Sequence, residues 1–276
     1  MLYNVREYHR PTEIDDAIRL LQRTDVHTVA VGGGVTVVGE GTPEIEAVVD
    51  LDGLGLNFIE RVGTVIRLGA TAHIQDVMDQ LSDIASGVLA DTARRMAGWN
   101  VRNAATIGGA LASGDIHAPL SVMLAALDAQ VTIYNGQDNQ VIGWADFSRS
   151  VYNGVLRGKL ITEVSFNAPS NIAAAYEQVA RTPADRAIVS AAAIVRPLSG
   201  DQVDASLVVG GLLSNLLIAR HTFSAASIDE LPSLLWQNRD EKETVQSNYL
   251  GSAEYRESVA PILARRALHN VMHRIT

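Results

Sequence analysis

The sequence predicts an α+β protein with mixed sheets, and three observations carry that reading. Short β-branched runs alternate with amphipathic helical segments through the first part of the 276 residues. Toward the C-terminus, strand-like runs follow one another before the last helices, an order that suits a sheet with helices segregated beside it. Neither G-x-G-x-x-G nor G-x-x-x-x-G-K-S/T occurs, so the doubly wound dinucleotide fold and the P-loop both lose support.

The elements follow in order. Thr12 is placed to cap a helix with Asp15 three residues on, and Ile14, Ala17, Ile18 and Leu21 then recur at helical spacing. Thr28–Val31 reads as a short buried strand that empties into Gly32-Gly33-Gly34-Val35-Thr36. Ala47–Leu51 completes a small α/β unit, residues 1–55. A second unit, 56–169, starts with a β-rich run at Thr64–Leu68. A helix carrying Ile74, Val77, Met78 and Leu81 follows, and then another at Leu89–Ala97.

Next comes Trp99-Asn100-Val101-Arg102-Asn103-Ala104-Ala105-Thr106-Ile107-Gly108-Gly109, read as a β-branched run that breaks at a Gly pair. Pro119 opens a helical segment to Leu127, and strands at Gln130–Tyr134 and Leu160–Phe166 close the unit. The third unit, 170–276, has strands at Ala174–Val179, Ala187–Val195 and Val203–Val209, followed by helices. The last helix starts after a Ser252 cap, with Tyr255, Val259, Ile262, Leu263 and Leu268 as its buried stripe.

Composition narrows the function. A hydrophobic fraction of 47% is ordinary for globular chains, and a net charge of −9 with no basic stripe argues against a nucleic-acid surface. No apolar run approaches a membrane span and no signal-peptide core opens the chain, so a cytoplasmic protein is expected. The chain contains no cysteine, which excludes disulfides, a thiolate nucleophile and an iron–sulfur cluster held by this chain. His269 and His273 lack the internal Glu of a zincin helix, and no metal site or acid–base pair is expected; the catalytic set is empty.

The two glycine clusters are the chemical signal. Adjacent glycines remove the Cβ atoms that keep a ligand off the backbone, so amides can face an anion. Thr106 adds a hydroxyl. Two such clusters can close on one extended phosphate-bearing ligand.

At these residues the chain resembles the FAD-binding, or medium, subunit of molybdenum hydroxylases of the carbon-monoxide-dehydrogenase and xanthine-dehydrogenase type. The resemblance rests on Tyr8-His9-Arg10-Pro11-Thr12, on Val31–Thr36, on Val101–Gly109 against the family's R-N-x-A-T-I-G-G, and on Gly251-Ser252-Ala253-Glu254-Tyr255-Arg256. It implies a two-part FAD-binding domain, made of the first two units, followed by a C-terminal domain of antiparallel sheet and helices. It also implies an oxidoreductase subunit with FAD as cofactor, in a heterotrimer with a 2Fe–2S small subunit and a molybdenum-cofactor large subunit, and with NAD or a quinone as acceptor.

The implied FAD contacts are Gly32, Gly33, Gly34, Val35 and Thr36, and Thr106, Ile107, Gly108 and Gly109, through backbone donors. Arg102 and Asn103 either fix the second loop or lie near the flavin. Departures follow. Ala110 replaces a polar residue, and the loop Ser113–Ala118 is short, leaving Asp115 as a candidate acceptor for ribose or adenine and His117 where a second acid is expected. Asp185, within Arg181–Ala187, is a candidate for the adenosine half. Glu40 and Glu44 stand where a basic residue often follows the first loop, which predicts weaker FAD binding. The alternative function is an assembly module of the same fold that has lost FAD.

Overall fold

The computed structural model describes residues 2–182, 185–240 and 242–274. The chain opens with β1 (Glu7–His9), α1 (Ile14–Leu21), β2 (Thr28–Val31), α2 (Val35–Glu40) and β3 (Ala47–Asp50). It continues through β4 (Ile59–Val62), β5 (Val65–Gly69), α3 (Ile74–Gln80), α4 (Val88–Met96), α5 (Trp99–Ala104), α6 (Ile107–Ala112) and α7 (Pro119–Ala126). Then come β6 (Gln130–Tyr134), β7 (Asn139–Gly143), α8 (Trp144–Ser150) and β8 (Leu160–Asn167). The last elements are β9 (Ala173–Val179), β10 (Val189–Pro197), β11 (Gln202–Gly210), β12 (Leu217–Ser224), α9 (Leu231–Gln237) and α10 (Ala253–Met272).

These elements form two compact units. The first comprises residues 1–77, 99–114 and 129–166, and the second 78–98, 115–128 and 167–276.

The first unit holds two sheets. In the smaller one, ordered β1-β3-β2, both outer strands run parallel to β3. Parallel neighbours need crossovers, which α1 and α2 supply. Ala17 and Ile18 on one face of α1 pack with Val49, Leu51 and Leu160, and that apolar contact fixes the helix on the sheet. The larger sheet runs β4-β5-β8-β6-β7, with β4 and β5 joined as an antiparallel hairpin. β6 is antiparallel to both β7 and β8.

The second unit is built on an antiparallel sheet ordered β12-β11-β10-β9. One core cluster joins Ala191, Ala193, Val195, Leu207 and Val209 of this sheet to Ala260, Leu263, Ala264 and Ala267 of α10. The small side chains on both partners let the helix approach the strands closely. α7 is buried along its whole length, as a helix that is apolar except for Ser121 requires.

Several expectations change. The α1 N-cap residue is Glu13, without a side-chain cap bond, so the Thr12–Asp15 capping box does not form. β2 is only half-buried on both faces. Trp99–Ala104 is a helix rather than a β-branched run, and the Gly pair lies inside the first turn of α6. A fourth strand, β12, follows β11 where helices were expected. Ser252 does cap α10, its hydroxyl accepting from the Tyr255 amide at 3.2 Å. The buried stripe of α10 is shifted, however, because Tyr255 and Ile262 are exposed while Arg256, Ala260, Leu263, Ala264, Ala267, Leu268 and Val271 are buried.

Candidate functional site

The two glycine motifs meet within the first unit, and their packing dictates glycine. A Cβ on Gly33 would overlap the carbonyl oxygen of Ala104, and one on Gly32 would lie 2.6 Å from Thr106 Oγ1. Gly34 has φ +72°, a left-handed conformation that L side chains rarely adopt. The first motif therefore lies directly on residues 104–106.

The motifs treat their backbone donors differently. The amides of Gly33, Gly34, Val35 and Thr36 have no acceptor among the described residues, so four consecutive donors remain free ahead of and within the first turn of α2. Orphan donors at a glycine-rich turn suit an anion.

In the second motif the donors are engaged. Ile107 N donates to Ala72 O at 2.9 Å and Gly108 N to Ala70 O at 2.8 Å. Gly109 N donates to Thr106 Oγ1 at 3.2 Å, the N-cap bond of α6. This differs from the expectation of an amide nest at both motifs. What the second motif offers is the Thr106 hydroxyl and a side-chain-free backbone at Gly109 on the cavity wall.

A cavity of about 990 Å³ lies beside them, wholly within the first unit, at the upper end of the roughly 300–1,000 Å³ usual for small-molecule sites. Gly32, Thr106, Gly108, Gly109 and Ala112 form one part of its wall, and Thr28, Val29 and Ala30 of β2 another. The segment Leu156–Ile161 adds a third. Gly108 and Gly109 differ here. A Cβ on Gly108 would lie 2.8 Å from Ala70 Cβ, whereas one on Gly109 would meet only Thr106 Oγ1, at 3.0 Å. Gly108 is therefore a packing glycine, and Gly109 leaves room on the cavity side.

The remaining candidates hold local contacts. Arg102 Nε donates to Gln75 Oε1 at 3.0 Å, and Asn103 Nδ2 donates to Trp99 O within α5 at 2.8 Å. Both brace the helix that carries Ala104 to the first motif. Asp115 and Asp185 belong to the second unit. Asp115 Oδ1 accepts from His117 N at 2.9 Å and pairs with Arg186 at 2.5 Å. Asp185 Oδ2 accepts from Thr182 N at 3.1 Å; Pro183 and Ala184, inside the same expected stretch, lie outside the described residues. Glu40 and Glu44 do not line the cavity, and no other carboxylate among the described residues does.

Sequence reasoning missed Arg157 and Lys159, which line the cavity from a turn with no recognisable motif. It also assigned no role to Arg256. That guanidinium is buried and donates to Ile188 O at 2.6 Å, to Gly211 O and to Asn248 Oδ1 at 2.6 Å, so it ties three loop segments of the second unit together. His117 lies in the same unit with Nδ1 buried and unpartnered among the described residues. Burial first, and then the Arg186 cation, push its pKa below the usual value, against the opposing pull of Asp115.

Among the described residues there is no cluster of three or more metal-ligating side chains, and no helix is long and apolar enough to cross a membrane.

Residues 3–169 match the family model described as the FAD binding domain in molybdopterin dehydrogenase. The chain is 30% identical over 285 residues to the alpha subunit of the 6-hydroxypseudooxynicotine dehydrogenase complex of Paenarthrobacter nicotinovorans, covering 97% of this chain and 95% of that one. It is 25% identical over 284 residues to the carbon monoxide dehydrogenase medium chain of Afipia carboxidovorans, covering 97% of each. A crystal structure of the copper- and molybdenum-containing CO dehydrogenase superimposes with a TM-score of 0.83 at 24% identity, covering 99% of this chain and 100% of that one. That likeness shows the mixed helix-and-sheet fold.

Proposed function

The chain belongs to the family of FAD binding domains in molybdopterin dehydrogenases, an oxidoreductase family with FAD as cofactor, and on that premise we propose that it is the electron-transferring flavin subunit of a molybdenum hydroxylase. The observation that carries this reading is the cavity walled by Gly32 of the first motif and by Thr106, Gly108 and Gly109 of the second, with four free amides on the residues that follow Gly32. Its residues fit FAD: a diphosphate needs donors without Cβ obstruction, and an extended dinucleotide needs a long apolar-and-polar groove.

Gly33, Gly34, Val35 and Thr36 present amides to the diphosphate, with Gly32 setting the close approach of the loop. Thr106 contributes its hydroxyl, while Ile107 and Gly108 seat α6 and Gly109 keeps the space clear. Arg102 and Asn103 brace α5 rather than touch the ligand. Asp115 and Asp185 belong to the second unit, where local bonds hold both. Bound FAD would supply the redox chemistry, taking electrons from 2Fe–2S clusters on a small subunit and delivering them to NAD or a quinone. The absence of cysteine from this chain is consistent with clusters held elsewhere, and substrate oxidation belongs to a large molybdenum subunit.

The name of the Paenarthrobacter relative, a subunit of a dehydrogenase complex, supports assembly with partner chains. The alternative of a scaffold that has lost FAD is less well supported, because the free donors and the carboxylate-free lining still suit an anionic ligand. Titrating the purified chain with FAD and following flavin fluorescence tests the reading. Saturable quenching at micromolar concentration or below is expected. A folded chain that fails to bind FAD, with its partner subunits present, would overturn it.

A further inference from the structure

The charge of the cavity is the inverse of the charge of the chain. The protein carries a formal net charge of −9, yet Arg23, His27, Arg157 and Lys159 line the cavity and no Asp or Glu among the described residues does. These four are not equivalent. Arg23 is committed, with Nη1 2.8 Å from Glu7 Oε2 and Nη2 donating to Thr28 Oγ1 at 3.1 Å. His27 Nδ1 is 3.1 Å from the Glu44 carbonyl oxygen. The head groups of Arg157 and Lys159 have no hydrogen bond or ion pair among the described residues.

Their backbone, in contrast, is held. Arg157 N donates to Gly154 O at 3.0 Å and Lys159 N to Leu156 O at 3.0 Å. Gln22 Nε2 donates to Gly158 O at 3.2 Å and to Asn135 O at 3.1 Å, pinning the turn to the end of α1. A fixed turn thus presents, on the wall of the cavity, two cations without partners among the described residues. The first glycine motif has neutral amides and no basic side chain between Gly32 and Gly41. A cation facing a diphosphate in this cavity comes from another segment, and Arg157 and Lys159 are the two on its wall without a partner among the described residues.

We propose that Arg157 and Lys159 form the cationic wall of the FAD site and hold the diphosphate through charge-assisted hydrogen bonds, the guanidinium as a fork and the ammonium as a point charge. This rests on FAD occupying the cavity, and the experiment separates the two ideas. FAD and riboflavin, which lacks phosphate, are titrated into the full-length protein and three variants: R157Q/K159Q, R157K/K159R and G109V.

Removing both cations is expected to weaken FAD binding about tenfold per charge and to flatten its dependence on salt. Riboflavin affinity should stay unchanged, as should the thermal melt of the FAD-free protein. The R157K/K159R exchange, which keeps both charges, should retain most of the affinity. If R157Q/K159Q binds FAD with wild-type affinity and salt dependence while G109V does not bind, the cationic wall is wrong and the cavity assignment stands. If G109V also binds FAD normally, the ligand lies elsewhere and both ideas fail.

Discussion

Two glycine clusters in one unit perform different physical tasks. At Gly33 to Thr36 the backbone donors are free, and the glycines bring the loop against residues 104–106. At Ile107 to Gly109 the donors are engaged by Ala72, Ala70 and Thr106, so the glycines there serve packing at Gly108 and clearance at Gly109. The same residue type thus presents amides in one place and removes bulk in the other. Sequence alone treats the two as equivalent. The hydrogen-bond partners separate them.

The strongest way to break this comparison is to add one methyl group at each cluster. In Gly33→Ala the new Cβ would overlap the backbone carbonyl of Ala104, which cannot swing aside as a side chain can. The expected cost is at least about 3 kcal/mol, the upper part of the overpacking range, with loss of FAD binding as a consequence. In Gly109→Ala the Cβ meets only the Thr106 hydroxyl at 3.0 Å, and the substitution recovers helix propensity worth about 1 kcal/mol. The FAD-free Gly109→Ala protein should melt within a few degrees of wild type and bind FAD more weakly. Thermal melts with and without FAD read both effects. Equal destabilisation by the two substitutions would mean that the clusters do not divide their tasks.

The clusters were legible because lack of a Cβ is a property of the residue itself. The strands Thr28–Val31 and Gln130–Tyr134 were legible for a similar reason, since their β-branched runs are bounded by turn residues. β4 and β7 were not. They are the edge strands of the five-stranded sheet and are largely exposed, so no buried face marks them in the sequence. α5 was misread because none of its residues is buried, which leaves no helical periodicity, and because Trp, Val and Asn are weak helix formers. Arg157 and Lys159 become part of the cavity only because their turn precedes β8 and is held by Gln22, a contact spanning more than a hundred residues that no local pattern encodes.

A smaller effect sharpens the role of Thr106, which belongs to both tasks: it caps α6 and lines the cavity. Thr106→Ala should cost about 1 kcal/mol through the lost cap and also weaken FAD. Thr106→Ser keeps the hydroxyl and should preserve most of both. If Thr106→Ala lowers the melting temperature but leaves FAD affinity unchanged, the second cluster is purely structural, and only the first serves as a cradle.

The smallest effect lies outside both clusters and serves as their control. His117 belongs to the second unit, where burial and then Arg186 lower its pKa; Asp115 and Arg256 are the other charged groups acting on it. Folding therefore favours the neutral ring, and the unfolded chain binds the proton more readily. Stability linked to His117 is fully present above the ordinary histidine pKa of about 6.5 and declines as pH falls from there toward the depressed folded value, below which no more is lost. In His117→Gln that part of the pH dependence should disappear. The difference in melting temperature between pH 7.5 and pH 5.5 should be smaller in this variant than in wild type. FAD affinity at pH 7.5 should not change if the cavity of the first unit contains the whole diphosphate site. A loss of affinity in His117→Gln would instead mean that the contrast between the two glycine clusters describes only part of what holds FAD.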